Sequence, residues 1–168
     1  MKTVYLDHHS TTPLDPRALK AMMPYLGPKF GNAASGTHRF GREAFRAVET
    51  ARAQVARLIA ARPREIVFTS GATESNNLAL KGAFASLRAG RRRVVTVVTE
   101  HKSVLDPFRR LELEGAEVVR LPVGPDGLVD PGEFARAMTD GTAFASVMLA
   151  NNEIGVIQPV AELARLAH

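Results

Sequence analysis

The chain has 168 residues, of which 45% are hydrophobic, enough for one domain with a sizeable core. Its formal net charge of +5 comes mainly from arginines dispersed through helical segments, with one run at Arg91-Arg92-Arg93, and there is no basic–aromatic interleaving to mark a nucleic-acid partner. The absence of cysteine excludes a disulfide, a thiolate metal site and a thiol nucleophile within the chain, and the lack of a signal peptide or an apolar run near the ~20 residues that cross a bilayer predicts a cytoplasmic, non-membrane protein.

Asp15-Pro16 pairs an N-cap with proline at the first helical position and predicts a helix towards Tyr25, closed by Gly27-Pro28. Phe30 to His38 is a polar loop punctuated by glycine. A long amphipathic helix is predicted from about Gly41 to Ala60, with Phe45, Val48, Ala51, Val55, Leu58 and Ile59 on its apolar stripe. Ile66–Thr69 reads as a buried strand, and Leu78–Phe84 after it as helix. Val94–Thr99 is a second strand, Asp106-Pro107 opens another helix that Gly115 ends, and Glu117–Pro122 is a third strand. Pro122–Gly127 forms a tight turn. Asp130-Pro131-Gly132-Glu133 starts a helix, Ala143–Leu149 is a fourth strand, and Val160–His168 is helical. This alternation predicts an α/β fold, a three-layer sandwich around a mostly parallel sheet.

Ligands of such sheets bind beyond the carboxyl ends of the strands. Three predicted strands end in polar turns: Ser70-Gly71-Ala72-Thr73, Thr99-Glu100-His101-Lys102-Ser103 and Ala150-Asn151-Asn152-Glu153-Ile154-Gly155. The first leads into a helix, whose free N–H groups and dipole attract a phosphate, and Ser70, Thr73 and Ser75 add hydroxyls. A helix cap alone also explains that turn. Likewise, His101 alone reads as a surface histidine and Asn151-Asn152 as a polar turn.

Five stretches change that weighting: Tyr5–Pro13, Phe30–Ser35 with His38, Phe68–Asn77, Thr99–Leu105 and Asn151–Gly155. Together, in this order and spacing, they resemble the N-terminal part of a cysteine desulfurase, of the class V aminotransferase group of fold-type I pyridoxal-phosphate enzymes. The resemblance implies that residues 1–168 are an incomplete large domain of that transferase fold, with an arm, first helix and active-site loop over 1–40 and an α/β core over 41–168. It implies pyridoxal 5'-phosphate as cofactor, with Ala72 and Thr73 cradling the phosphate. His101 would stack on the pyridine ring and move protons, and Asn152 would contact cofactor and substrate. Asn32, Ser35 and the stretch Asp7–Thr12 fall in segments that the family places near its active site.

The same resemblance implies conversion of L-cysteine to alanine, leaving an enzyme-bound persulfide for iron–sulfur or thiocofactor assembly. His8-His9 and Ala33 depart from the family wording, and adjacent histidines on an extended segment make a poor metal pair, so no metal is expected. The family's Schiff-base lysine, its ring-nitrogen aspartate and its persulfide cysteine have no counterpart here. The five lysines, Lys2, Lys20, Lys29, Lys81 and Lys102, read as solvated or rim charges. A complementary C-terminal chain, a homo- or hetero-oligomer and a sulfur-acceptor or scaffold protein are therefore expected partners. Two other readings fit the same residues: a catalytically inactive scaffold that binds desulfurases or sulfur carriers, and a class V relative acting on selenocysteine, kynurenine or an aminotransferase substrate.

Overall fold

The computed structural model describes residues 3–8, 11–87 and 90–168, so Lys2 and His9 lie outside the described residues. The chain divides into two compact units, Met1–Phe68 and Thr69–His168.

In the first unit, helix α1 spans Pro16–Met22 and tightens into a 3-10 turn over Met23–Leu26. Asp15 caps α1, its carboxylate accepting the Arg17 N–H at 2.7 Å. Helix α2 spans Arg39–Leu58, two residues ahead of its predicted start, because His38 supplies the cap through Nδ1, which accepts the Gly41 N–H at 3.2 Å. Gly41 is required by close approach: a Cβ there would lie 1.7 Å from the Ser35 carbonyl oxygen. The apolar stripe of α2 exists as a pattern but is largely uncovered. Phe45 is 54% exposed and Leu58 85% exposed, while the buried positions are the small residues Gly41, Ala44 and Ala56.

The predicted strand Ile66–Thr69 does not form. Ile66 is extended, at φ −94° and ψ 126°, but no described residue pairs with the segment in a ladder. Val67 and Phe68 remain 64% and 50% exposed. Apolar β-branched composition makes a chain ready for a sheet, yet a strand exists only where a neighbour satisfies its backbone groups. Here Arg52 caps the segment instead, donating from Nη1 to the Ile66 carbonyl at 2.5 Å and lying over the Phe68 ring at 5.0 Å.

The second unit is a three-layer α/β arrangement. Helix α3, Ala72–Ala85, leads to strand β1, Arg93–Val97. Helix α4, Lys102–Leu113, strand β2, Glu117–Leu121, helix α5, Pro131–Ala137, strand β3, Thr142–Ser146, and helix α6, Val160–Ala167, follow in order. The sheet has three strands rather than the predicted four, all parallel, in the order β2-β1-β3. Successive side chains of a strand face opposite ways. Val94 accordingly packs with Leu80 of α3 and with Val104, Phe108 and Leu111 of α4. Val95 and Val97 pack on the other face with Phe134 of α5 and Leu163 of α6. The central strand is sealed, with Val94, Val95 and Thr96 at 0% exposure.

One helix boundary differs from expectation in a way that bears on function. Asp106-Pro107 does not open α4; the helix begins at Lys102 and carries Pro107 inside it. The cap is His101, whose Nδ1 accepts the Ser103 N–H at 3.0 Å, and Asp106 instead accepts from Arg109 Nη1 at 2.9 Å. By contrast Asp130 caps α5 as expected, accepting the Glu133 N–H at 2.8 Å.

Candidate functional site

Strand order locates the crevice. From β1 the chain passes through α4, on one face, to β2; from β2 it passes through α5, on the other face, to β3 on the far side of β1. A reversal of direction combined with a change of face keeps both crossovers of one hand and opens a switch point beside β1, where chain exits diverge to opposite faces. The turns after β1 and β3, which carry His101 and Asn152, border this point.

Two adjoining cavities lie there. One, of about 360 Å3, is lined by Thr73, Asn77, Lys81, His101, Lys102 and Ser103, among others. The second, of about 480 Å3, is lined by Thr99, Glu100, His101, Asn151, Asn152 and Ile154, among others. His101 belongs to both. Thr73 and Asn152 thus line separate cavities that share His101. Lys81 and Lys102, read from sequence as solvated charges, also line the first cavity, together with Asp106.

At the first turn, α3 starts immediately after Gly71, with Ala72 and Thr73 as its first two residues. The first backbone bond into Gly71 comes from the Ser75 N–H at 3.0 Å, which leaves the N–H groups of Ala72, Thr73 and Glu74 without an acceptor among the described residues. The three hydroxyls differ. Ser70 Oγ donates to Glu74 Oε2 at 2.6 Å, and Ser75 Oγ donates to the Gly71 carbonyl at 3.1 Å. Thr73 Oγ1 has no partner among the described residues and remains available. The hydrogen bonds from the Ser70 hydroxyl and N–H hold the Glu74 carboxyl below its usual range and turn it back towards Ser70.

The two asparagines separate cleanly. Asn151 is buried and builds the turn: its Nδ2 donates to the Thr99 carbonyl at 2.7 Å, and its Oδ1 accepts from the Glu153 and Ile154 N–H groups at 2.8 and 2.9 Å. Asn152 is half-buried, lines the second cavity, and has no side-chain bond among the described residues. Glu100, which sequence reasoning did not single out, is 8% exposed and accepts the Met148 N–H. Burial pushes its carboxyl above the ordinary value, against the lowering effect of bonds from the Met148 and His101 N–H groups. Glu100 and Asn151 together clamp the turn after β1 to the turn after β3. Asn76 was also missed; its Nδ2 donates to Ser103 Oγ at 2.8 Å. Nothing in the local wording distinguishes Asn76 from Asn77, since only the packing of α3 on α4 selects it.

In the first unit, Asn32 Oδ1 accepts the Ala34 N–H at 2.9 Å, and the Asp7 carbonyl accepts the Tyr5 hydroxyl at 2.9 Å. Ser35 N–H donates to the Asn32 carbonyl at 3.0 Å, so these residues shape their own loops. Among the described residues no group of three or more His, Asp or Glu could hold a metal ion, and no helix is long and apolar enough to cross a membrane.

A parallel sheet in the order β2-β1-β3 with helices on both faces defines a doubly wound α/β protein. Residues 4–168 match the aminotransferase class V family model, and the chain belongs to that family, a group of pyridoxal-phosphate-dependent enzymes. It is similar to the cysteine desulfurase IscS of Rickettsia felis, with 52% identity over 163 residues, covering 97% of this chain and 40% of the relative. It therefore spans about two fifths of the length of the curated relatives it matches. Among solved structures, a NifS-like protein superposes with a TM-score of 0.92 at 38% identity over 98% of this chain and 45% of its own. SspA in complex with cysteine superposes with a TM-score of 0.88 at 36% identity, over 98% and 47%.

Proposed function

We propose that this chain is the cofactor-cradling portion of a pyridoxal-phosphate-dependent cysteine desulfurase, which takes sulfur from L-cysteine, leaves alanine and passes the sulfur on as a persulfide for iron–sulfur or thiocofactor assembly. The observation that carries the reading is the sharing of His101 between the Thr73 cavity and the Asn152 cavity. The desulfurase names of the relatives and the cysteine bound by SspA support the substrate.

The residues present fit a flat aromatic phosphate. The free N–H groups of Ala72 and Thr73, with Thr73 Oγ1, receive the phosphate at the positive end of α3, and Lys81 and Lys102 add charge. His101 would cover the ring, and the Asn152 amide would donate to ring or substrate oxygens. When bound, the cofactor supplies an electron sink for the amino acid. His101 meets the ligand through Nε2, because Nδ1 is engaged by Ser103.

A complementary segment or chain supplies the Schiff-base lysine, the aspartate for the ring nitrogen and the persulfide cysteine, since this chain holds no cysteine. A sulfur acceptor and a homo- or hetero-oligomer complete the assembly. The test is a spectrophotometric titration of the chain with pyridoxal 5'-phosphate, followed by sulfide release from cysteine on adding the complementary segment. Saturable binding that weakens about tenfold or more in Thr73→Val is expected, corresponding to loss of a charge-assisted hydrogen bond of about 1.5 kcal/mol or more. Equal binding by the wild-type chain and Thr73→Val would overturn the assignment.

A further inference from the structure

We propose that Asn76 and Ser103 are positioning residues which fix the tautomer of His101, so that the neutral ring presents an Nε2–H donor to the crevice and has no basic lone pair to offer there.

The geometry is a relay directed at one ring nitrogen. His101 Nδ1 lies 3.0 Å from the Ser103 backbone nitrogen, which has only a hydrogen to give. Nδ1 is therefore an acceptor, and the proton of the neutral imidazole sits on Nε2. Ser103 Oγ lies 2.8 Å from the same Nδ1. Asn76 Nδ2 donates to that oxygen at 2.8 Å, occupying an Oγ lone pair and leaving the hydroxyl hydrogen to point at Nδ1. Ser103 is 8% exposed, which limits the access of water to the hydroxyl. Amide, hydroxyl and imidazole form a chain in which each donor polarises the next.

The consequence for chemistry is directional. An Nε2–H hydrogen-bonds an acceptor on the ligand: a phenolate oxygen, a carboxylate or a thiolate. It does not remove a proton from one. His101 therefore orients the ligand and stabilises negative charge on it from its stacked position. This chemical consequence rests on the placement of His101 beside the cofactor; the tautomer itself does not.

The experiment is a long-range 1H–15N correlation spectrum of histidine side chains in the 15N-labelled chain, with His101 assigned by His101→Gln. The wild-type ring is expected in the Nε2–H form at alkaline pH, with Nδ1 showing the shift of a hydrogen-bonded acceptor. Ser103→Ala should move Nδ1 towards the shift of an unbonded ring nitrogen, Ser103→Thr should restore it, and Asn76→Ala should give a smaller move in the same direction. A wild-type ring protonated on Nδ1, or an Nδ1 resonance unchanged in Ser103→Ala, overturns the proposal. The His38 resonance, from a second histidine cap, serves as the folding control. An Nε2–H ring in a chain that fails to bind pyridoxal 5'-phosphate would instead overturn the functional reading and leave the tautomer assignment standing.

Discussion

Two adjacent asparagines show how little a residue's identity says about its work. Asn151 spends its whole amide on the turn, bridging to Thr99 and capping Glu153 and Ile154, whereas Asn152 spends none of its own on described partners. Asn151→Ala is therefore expected to lose about 1–3 kcal/mol of stability, because the Thr99 carbonyl and two N–H groups lose their partner. Asn152→Ala should stay within about 0.5 kcal/mol of wild type and affect ligand binding alone. Urea denaturation of both variants checks this, and equal losses would refute the division of labour. Glu100 adds a pH dependence. Its carboxyl is raised in the folded chain, chiefly by burial, so the folded state binds that proton more tightly than the unfolded state. Its contribution is fully present below the ordinary glutamate value and is lost as pH rises through the elevated one. Glu100→Gln keeps an acceptor for the Met148 N–H without the charge, and should flatten the fall in stability from acid to neutral pH. A Glu100→Gln curve parallel to wild type would show that the carboxyl does not titrate differently on folding.

At the scale of elements, the central strand and its two flanking layers carry the fold. Phe108 of α4 is fully buried and stacks on Phe144 of β3, with ring centroids 6.2 Å apart. Phe108→Ala should cost about 3–5 kcal/mol, measured by chemical denaturation, and a cost under about 1 kcal/mol would mean that the α3/α4 layer is not packed as described. On the opposite layer the buried Gln158 ties the segment before α6 to the turn after β2. Its Nε2 donates to the Gly127 carbonyl at 2.7 Å and its Oε1 accepts the Val129 N–H at 3.0 Å. Gly127 in that turn has φ of 78°, and a Cβ there would lie 2.8 Å from Val156 Cγ2. Gln158→Leu should therefore lose about 1–3 kcal/mol by leaving both backbone groups buried and unpaired. Near-wild-type stability in the same denaturation assay would contradict that accounting.

Across the whole molecule, apolar surface is left uncovered. Val67, Phe68, Leu58, Ile59, Leu113, Leu149 and Ile157 are all half exposed or more. A groove of about 550 Å3 beside β3, α5 and α6 is lined by Phe134, Met138, Phe144, Val147 and Leu163. Single exposed apolar residues are ordinary, but this many alongside an apolar groove favour association. The isolated chain should enhance the fluorescence of a hydrophobic dye and sediment with a concentration-dependent coefficient. A monodisperse monomer without dye response would show that these surfaces need no cover. Surface ion pairs do not offset the exposure, since all nine described pairs have at least one partner whose side chain is more than a third exposed.

The alternating elements and the turns holding Thr73, His101 and Asn152 were legible in the sequence because each depends on contiguous residues: an apolar run, a cap, a glycine, a motif. The caps at Asp15 and Asp130 are local events of that kind, and residues there behave as their types dictate. The start of α4 behind a His101 cap rather than at Asp106 is another local event, a histidine nitrogen taking the N–H two residues on, whereas the failure at Ile66–Thr69 and the separate duties of Asn151 and Asn152 were settled only by tertiary structure. In both cases the deciding partner is distant in the chain or absent: a missing neighbour strand, or a carbonyl at Thr99 that lies 52 positions from the amide it binds. Hydrogen-bonding groups are satisfied by whatever the fold brings within reach, and reach is a property of three dimensions.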